Sequence, residues 1–125
     1  LVEDNEINMM VATETLAEAH LEIEVARDGL EALAIMEAAR PGEFAIILMD
    51  MQMPNMDGLE ATREIRKMPI AQNLPIIAMT ANAFNEDRDR CYEAGMDDFS
   101  AKPVEPDQMF TTILYWLRRG SRAEE

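Results

Sequence analysis

A doubly wound α/β domain, with five strands alternating with five helices, is the fold this sequence predicts. Three observations carry the expectation. "FAIILMD" and "PIIAMT" are near-continuous apolar runs, as parallel strands show when helices cover both faces. Segments with helical spacing of apolar residues separate these runs from each other and from three shorter strand candidates. The length, 125 residues, suits one domain with one core.

Each element follows in order. The first strand, Leu1–Glu3, runs directly into a helix that puts Val11, Ala12, Thr15, Leu16 and Ala19 on one side and Glu6, Glu14 and Glu18 elsewhere. Small residues on that side let a helix lie close to a sheet. Either Asp4 or Asn5 can cap it, since both side chains satisfy orphan N–H groups. His20 falls where this helix gives way to a loop, and reads as a loop or C-cap histidine rather than a phosphohistidine. A second strand, Glu22–Ala26, precedes a helix with Gly29, Ala32, Leu33, Met36 and Ala39 on its inner side, then a Pro41-Gly42 loop. The third strand is Phe44–Asp50, and its following helix turns Gly58, Ala61, Thr62 and Ile65 inward. After a loop from Pro69 to Asn73 comes the fourth strand, Pro75–Thr80. The fourth helix, "NEDRDRCYEAG", has little apolar content beyond Cys91, Tyr92 and Ala94, and Gly95 reads as its left-handed C-cap. The fifth strand, Asp98–Ala101, runs out at Lys102-Pro103. The fifth helix offers Phe110, Ile113, Leu114 and Leu117 to the core. Trp116 lies off that stripe, either as a partly exposed packing residue or as a partner contact. Residues 1–119 form the domain, and 120–125, "GSRAEE", a solvated tail.

Charge narrows the function. With 11 basic against 25 acidic residues and a formal net charge of −14, the chain lacks the basic footprint that binds nucleic acid. Acidic domains suit metal cations or basic partner surfaces. The one cysteine, Cys91, excludes an intramolecular disulfide and a cysteine-rich metal site. No apolar run reaches membrane-spanning length and no signal-peptide pattern opens the chain, so a cytoplasmic protein without direct membrane contact is expected. A first residue other than Met suggests a piece of a longer protein. The 11 methionines fall mostly at core or rim positions and read as adaptable packing.

In an open parallel sheet, ligands gather at the carboxyl ends of the strands. There the first strand leaves Glu3 and Asp4, the third Asp50 followed by Met51-Gln52-Met53-Pro54, the fourth Thr80, and the fifth Lys102. Taken singly, each has a bland alternative: a helix cap, a turn aspartate, a loop hydroxyl, a solvated lysine. Together they fit phosphoryl transfer to a carboxylate. Asp50 is the nucleophile. Charge repulsion between it and the phosphoryl group requires a divalent cation, and Mg²⁺ (or Mn²⁺) favours oxygen ligands such as these carboxylates. Lys102 neutralises a phosphate oxygen and the Thr80 hydroxyl donates to another.

The motifs "VEDN", "LMDMQMPNMDG", "MTANA", "GMDDF" and "AKP", in this order, resemble the receiver (response-regulator) domain of two-component signalling over essentially the whole chain. The resemblance implies a flavodoxin-like fold with sheet order 2-1-3-4-5. It implies phosphoacceptance at Asp50, metal binding by Glu3, Asp4, Asp50 and the Gln52 carbonyl, phosphate sensing by Thr80 and Lys102, an aromatic switch at Phe99, and a cis Lys102–Pro103 peptide. The implied partners are a histidine kinase or a histidine phosphotransfer domain, and a homodimer is admitted. "VEDNEIN" and "MTANAFNEDRDRCYEAGMDDF" look most like receivers attached to hybrid sensor histidine kinases. Two departures stand out: the first strand lacks the apolar residues that usually precede "LVEDN", and no DNA-binding domain follows.

Rival functions fare worse. An aspartyl-phosphate phosphatase needs an acid/base carboxylate two residues after the nucleophile, where this chain has Gln52. A flavodoxin needs a hydroxyl- and glycine-rich phosphate cradle after the first strand, where Glu3 and Asp4 repel phosphate. A degenerate receiver acting only as a binding module finds no support, since every chemical position is occupied.

Overall fold

The computed structural model describes residues 1–18, 22–40, 43–51, 58–80, 85–101 and 106–123. Five helices, α1 (Glu6–Glu18), α2 (Gly29–Ala38), α3 (Gly58–Arg66), α4 (Asn85–Ala94) and α5 (Pro106–Ala123), surround a parallel sheet. Its strands β1 (Ile47–Asp50), β2 (Ile76–Thr80) and β3 (Asp98–Ala101) lie in that order, with Ile47 opposite Ile76 and Ile77 opposite Asp98. Val2 extends the sheet beyond β1 by pairing in parallel with Met49 on one side and Ala26 on the other. The spatial sequence Ala26, Val2, β1, β2, β3 is the expected 2-1-3-4-5 order.

The first two expected strands are shorter than the sequence suggested. Leu1–Glu3 and Glu22–Ala26 meet as a bridge between Val2 and Ala26, with Glu3 N–H donating to Ala26 and Ala26 N–H to Leu1 at 3.0 and 2.9 Å, and the Leu1 nitrogen donating to Glu24 at 3.0 Å. A strand exists only where a partner backbone runs beside it, and among the described residues that pairing is a single bridge on each side of Val2. For the same reason Phe44–Ile46 lies outside β1.

Period-two alternation sorts the strands' side chains onto two faces. Val2, Ile47, Met49, Ile76 and Ala78 join Ala32 and Met36 of α2, Ala61 and Ile65 of α3, and Cys91 of α4 in one buried cluster. Leu48, Ile77 and Met79 meet Leu16 of α1 and Met109 and Ile113 of α5 on the other. Two side chains expected inside lie outside. Val11 is 45 % exposed and Leu114 50 %. The buried rows are Ala12-Thr15-Leu16 and Met109-Ile113, and each misplaced residue sits one 100° step from its row. Trp116 is a packing residue: it lies against the second cluster, edge-on to Tyr115, with its indole N–H donating to Asp98 Oδ2 at 2.8 Å. The expected loop from Pro69 contains a 3₁₀ turn, Pro69–Ala71. The helical backbone of α5 runs to Ala123, into the stretch read as a tail. Ala19, His20 and the Pro41-Gly42 loop lie outside the described residues.

The sheet's amino end is tied by one side chain. Arg66, closing α3, donates to the carbonyls of Ala71, Leu74 and Gly95 at 2.5, 2.6 and 2.8 Å and to Asp97 Oδ2 at 2.7 Å. Asp97 Oδ2 also accepts the Ile76 N–H at 2.9 Å. Gly95 ends α4 at φ 109°, as its sequence position suggested, and a Cβ there would meet Arg66 Cγ at 2.8 Å. Only glycine fits that turn.

Candidate functional site

Because Val2 runs between Ala26 and Met49, the residues after it emerge beside the end of β1, where Asp50 stands. One carboxylate oxygen from each of Glu3, Asp4 and Asp50 lies within 4.8 Å of the other two. Glu3 and Asp50 are each only 2 % exposed. Asp4 faces water. The capping alternative resolves in favour of Asn5, whose Oδ1 accepts the Ile7 and Asn8 N–H groups at 2.9 and 3.0 Å. Capping therefore makes no demand on the Asp4 carboxylate.

The backbone holds Asp50 from two sides. Its N–H donates to Val2 at 2.9 Å, and Met51 N–H donates to Met79 at 3.1 Å. Gly58 presses on it from below: a Cβ there would overlap the Asp50 carbonyl oxygen and come within 3.0 Å of Met51 Cα. Sequence reasoning placed Gly58 only on the inner side of a helix. Its second task, letting α3 start directly against the Asp50 peptide, was signalled by a glycine opening a helix just after a candidate site.

Thr80 is the buried last residue of β2, opposite Ala101, and so stands at the same rim. Phe99 lies opposite Ala78, deeper in the sheet, half-buried against the α2–α4 cluster. Gln52, Lys102 and the Lys102–Pro103 peptide lie outside the described residues.

The donor set fits a hard divalent cation. It is all oxygen, and opposite ligands of an octahedral Mg²⁺ stand about 4.2 Å apart, close to the span of this cluster. Three carboxylates at such spacing repel one another, and burial of two of them adds a desolvation cost. A bound cation relieves both.

Comparison with known proteins bears on this rim. The family model for the response regulator receiver domain matches residues 1–114. The chain is 36% identical over 124 residues to hybrid signal transduction histidine kinase L of Dictyostelium discoideum, covering 97% of this chain and 7% of that protein. It is 34% identical over 125 residues to sensor histidine kinase RcsC of Escherichia coli, covering 100% of this chain and 13% of that protein. The chain thus spans a small fraction of these relatives' length. Among solved structures, the receiver domain of sensor histidine kinase PA1611 from Pseudomonas aeruginosa superposes with a TM-score of 0.85 at 38% identity, covering 93% of each chain, and holds a magnesium ion coordinated in its active-site cleft. Chemotaxis protein CheY4 of Vibrio cholerae superposes with a TM-score of 0.83 at 32% identity, covering 91% of this chain and 92% of that one.

Proposed function

Since the chain belongs to the response regulator receiver domain family of two-component signalling, we propose that Asp50 accepts a phosphoryl group from a phosphohistidine and that the acyl phosphate switches a protein-interaction surface. The observation that carries this reading is a buried Asp50 carboxylate with Glu3 and Asp4 oxygens within 4.8 Å.

The step is in-line. An Asp50 oxygen forms the new P–O bond as the donor's P–N bond breaks, and the departing imidazole takes a proton. Asp50, anchored through its own N–H and by Gly58, presents the nucleophile without rearrangement. Glu3, Asp4, Asp50 and the Gln52 carbonyl would hold the cation, with Glu3 acting directly or through water. Mg²⁺ or Mn²⁺ would supply positive charge that offsets the repulsion between the phosphoryl group and Asp50. Lys102 neutralises one of those oxygens, and the Thr80 hydroxyl donates to another. Gln52, two residues after Asp50, cannot act as acid or base, so the chain is a phosphoacceptor rather than a phosphatase. The receiver unit is residues 1–119.

The donor is a histidine kinase or a histidine phosphotransfer domain, in keeping with the kinases among the relatives. Beside the rim, α1 exposes Ile7, Met10 and Val11 at 72%, 62% and 45%, an apolar strip suited to a partner domain. The parent is a hybrid sensor histidine kinase. No helix among the described residues is long and apolar enough to cross a membrane. A cytoplasmic setting matches the reduced, acidic composition.

The test is intact mass after incubation with Mg²⁺ and a small acyl-phosphate donor. Wild type gains one phosphoryl group and Asp50→Asn gains none. Equal labelling of the variant overturns the assignment.

A further inference from the structure

Successive side chains of β3 point to opposite faces of the sheet. Phe99 lies half-buried against the α2–α4 cluster, and Asp98 meets Trp116 of α5 on the other face. Both oxygens of the Asp98 carboxylate are engaged. Oδ1 accepts the Phe99 N–H and Oδ2 the Trp116 indole N–H, each at 2.8 Å. Asp98 and Trp116 are half-buried, and a carboxylate acceptor makes such bonds stronger than a neutral one does. One side chain thus grips the backbone of a strand and the body of a helix.

Towards the start of α5 the two elements are less closely joined. A groove of about 410 Å³ lies between β3 and the first turns of α5, lined by Phe99, Ser100, Asp107, Gln108 and Thr111. Phe99 borders packed side chains on one side and this open space on the other. The strand around Phe99 has room to shift, and the Asp98–Trp116 bond is where a shift reaches the helix. Trp116 is itself set against the α1–α5 cluster, edge-on to Tyr115 with ring centroids 5.2 Å apart. Its neighbours Leu114 and Tyr115 are exposed on the outside of α5.

We propose that Asp98 is a positioning residue that couples α5 to Phe99. A displacement of the strand at Phe99 moves the carboxylate, the carboxylate moves Trp116, and the exposed surface at Leu114 and Tyr115 follows. The coupling is reciprocal, so a contact made on that surface biases Phe99 in turn. The inference deepens the proposed switch by naming what Phe99 is fastened to, and it rests on that reading only for phosphate as the cause of the shift. A bond that merely held the fold together would stabilise the chain and transmit nothing.

Two ways of disturbing β3 test the tie, one with a phosphoryl mimic and one without. Amide exchange is followed at residues 98–101 and 109–118, each relative to 47–50 so that global unfolding cancels. In the first arm, beryllium fluoride and Mg²⁺ are added to wild type, Asp98→Asn and Trp116→Phe. Asp98→Asn keeps one acceptor oxygen of two, and Trp116→Phe keeps a ring but loses the indole donor. Wild type is expected to respond at both segments. Both variants keep the response at 98–101 and lose most of that at 109–118, a drop on the order of fivefold. In the second arm, Phe99→Leu disturbs the strand without phosphate. Its faster exchange is expected to spread from 98–101 to 109–118 when Trp116 is present and to stay at 98–101 in Phe99→Leu/Trp116→Phe. Equal spread with and without the indole donor, or a strand disturbed in wild type with α5 unmoved, overturns the proposal. Silence at 98–101 in the first arm counts against phosphate as the cause, and the second arm still decides the tie.

Discussion

Asp4 and Asn5 are neighbours with different obligations, and the difference is testable. Asn5 is spent on the helix: its side chain holds two N–H groups of α1. Asp4 faces water while sharing the rim with two buried carboxylates. Replacing Asp4 removes a proposed ligand and also removes a repulsion. Asp4→Asn is therefore expected to weaken Mg²⁺ binding about tenfold, equivalent to about 1.4 kcal/mol. The same change is expected to stabilise the metal-free fold by up to about 1 kcal/mol. Calorimetric titration checks the first effect and urea unfolding without metal the second. Unchanged affinity removes Asp4 from the site. Glu3→Gln is a poorer probe, because a side chain 2 % exposed couples binding to packing.

At the scale of elements, α4 is the helix with least apolar surface to offer: Cys91 and Ala94 are buried and Tyr92 is exposed. Local stability follows buried apolar contact, so α4 is the element most easily biased between two arrangements. The Arg66 fork holds the end of this helix at Gly95. In the proposed mechanism, phosphorylation is expected to draw the Thr80 hydroxyl toward the phosphate and Phe99 to turn inward. The shift is no larger than the phosphate's preference between the two states. Thr80→Ala is expected to accept phosphate as wild type does while losing most of the change in amide exchange that a phosphoryl mimic causes across residues 85–101. Identical responses in wild type and variant rule out coupling through Thr80.

For the 125-residue chain taken by itself, with a free amine on Leu1, stability near neutral pH has an identifiable contributor. Burial pulls the Leu1 ammonium from its ordinary 8.0 down to about 6, against a smaller opposite pull from the Glu24 carboxylate. The unfolded chain then binds more protons than the folded one between these values, so stability rises with pH across that window. It is complete above 8 and lost as pH falls to 6. A two-unit shift caps the effect at about 2.7 kcal/mol, and the partial exposure of Leu1 lowers it. Denaturant midpoints from pH 6 to 8 are expected to climb, and acetylation of the amine to flatten the climb. A slope unaffected by acetylation refutes the assignment.

Much of this architecture was legible beforehand. Buried parallel strands produce continuous apolar runs, and strand-end chemistry announces itself by residue type, so β1, β2 and the carboxylate rim could be read directly. Strand length was not legible at Leu1–Glu3 and Glu22–Ala26, because pairing depends on what lies alongside rather than on the residues themselves. Val11 and Leu114 show that helical spacing locates a face only to within one step. Arg66 left no signal: three of its acceptors, at Ala71, Leu74 and Gly95, are main-chain carbonyls, which look alike in every sequence.

Trp116 is the chain's single tryptophan. Its indole N–H is bound to Asp98, whose other oxygen accepts the N–H of Phe99. An intrinsic fluorophore is thus wired to the strand that carries the aromatic side chain proposed to move. Indole emission shifts in colour when its hydrogen bond or its shielding from water changes, and ultraviolet excitation of this chain has no second tryptophan to blur the signal. The domain carries its own optical reporter, readable in real time without a label.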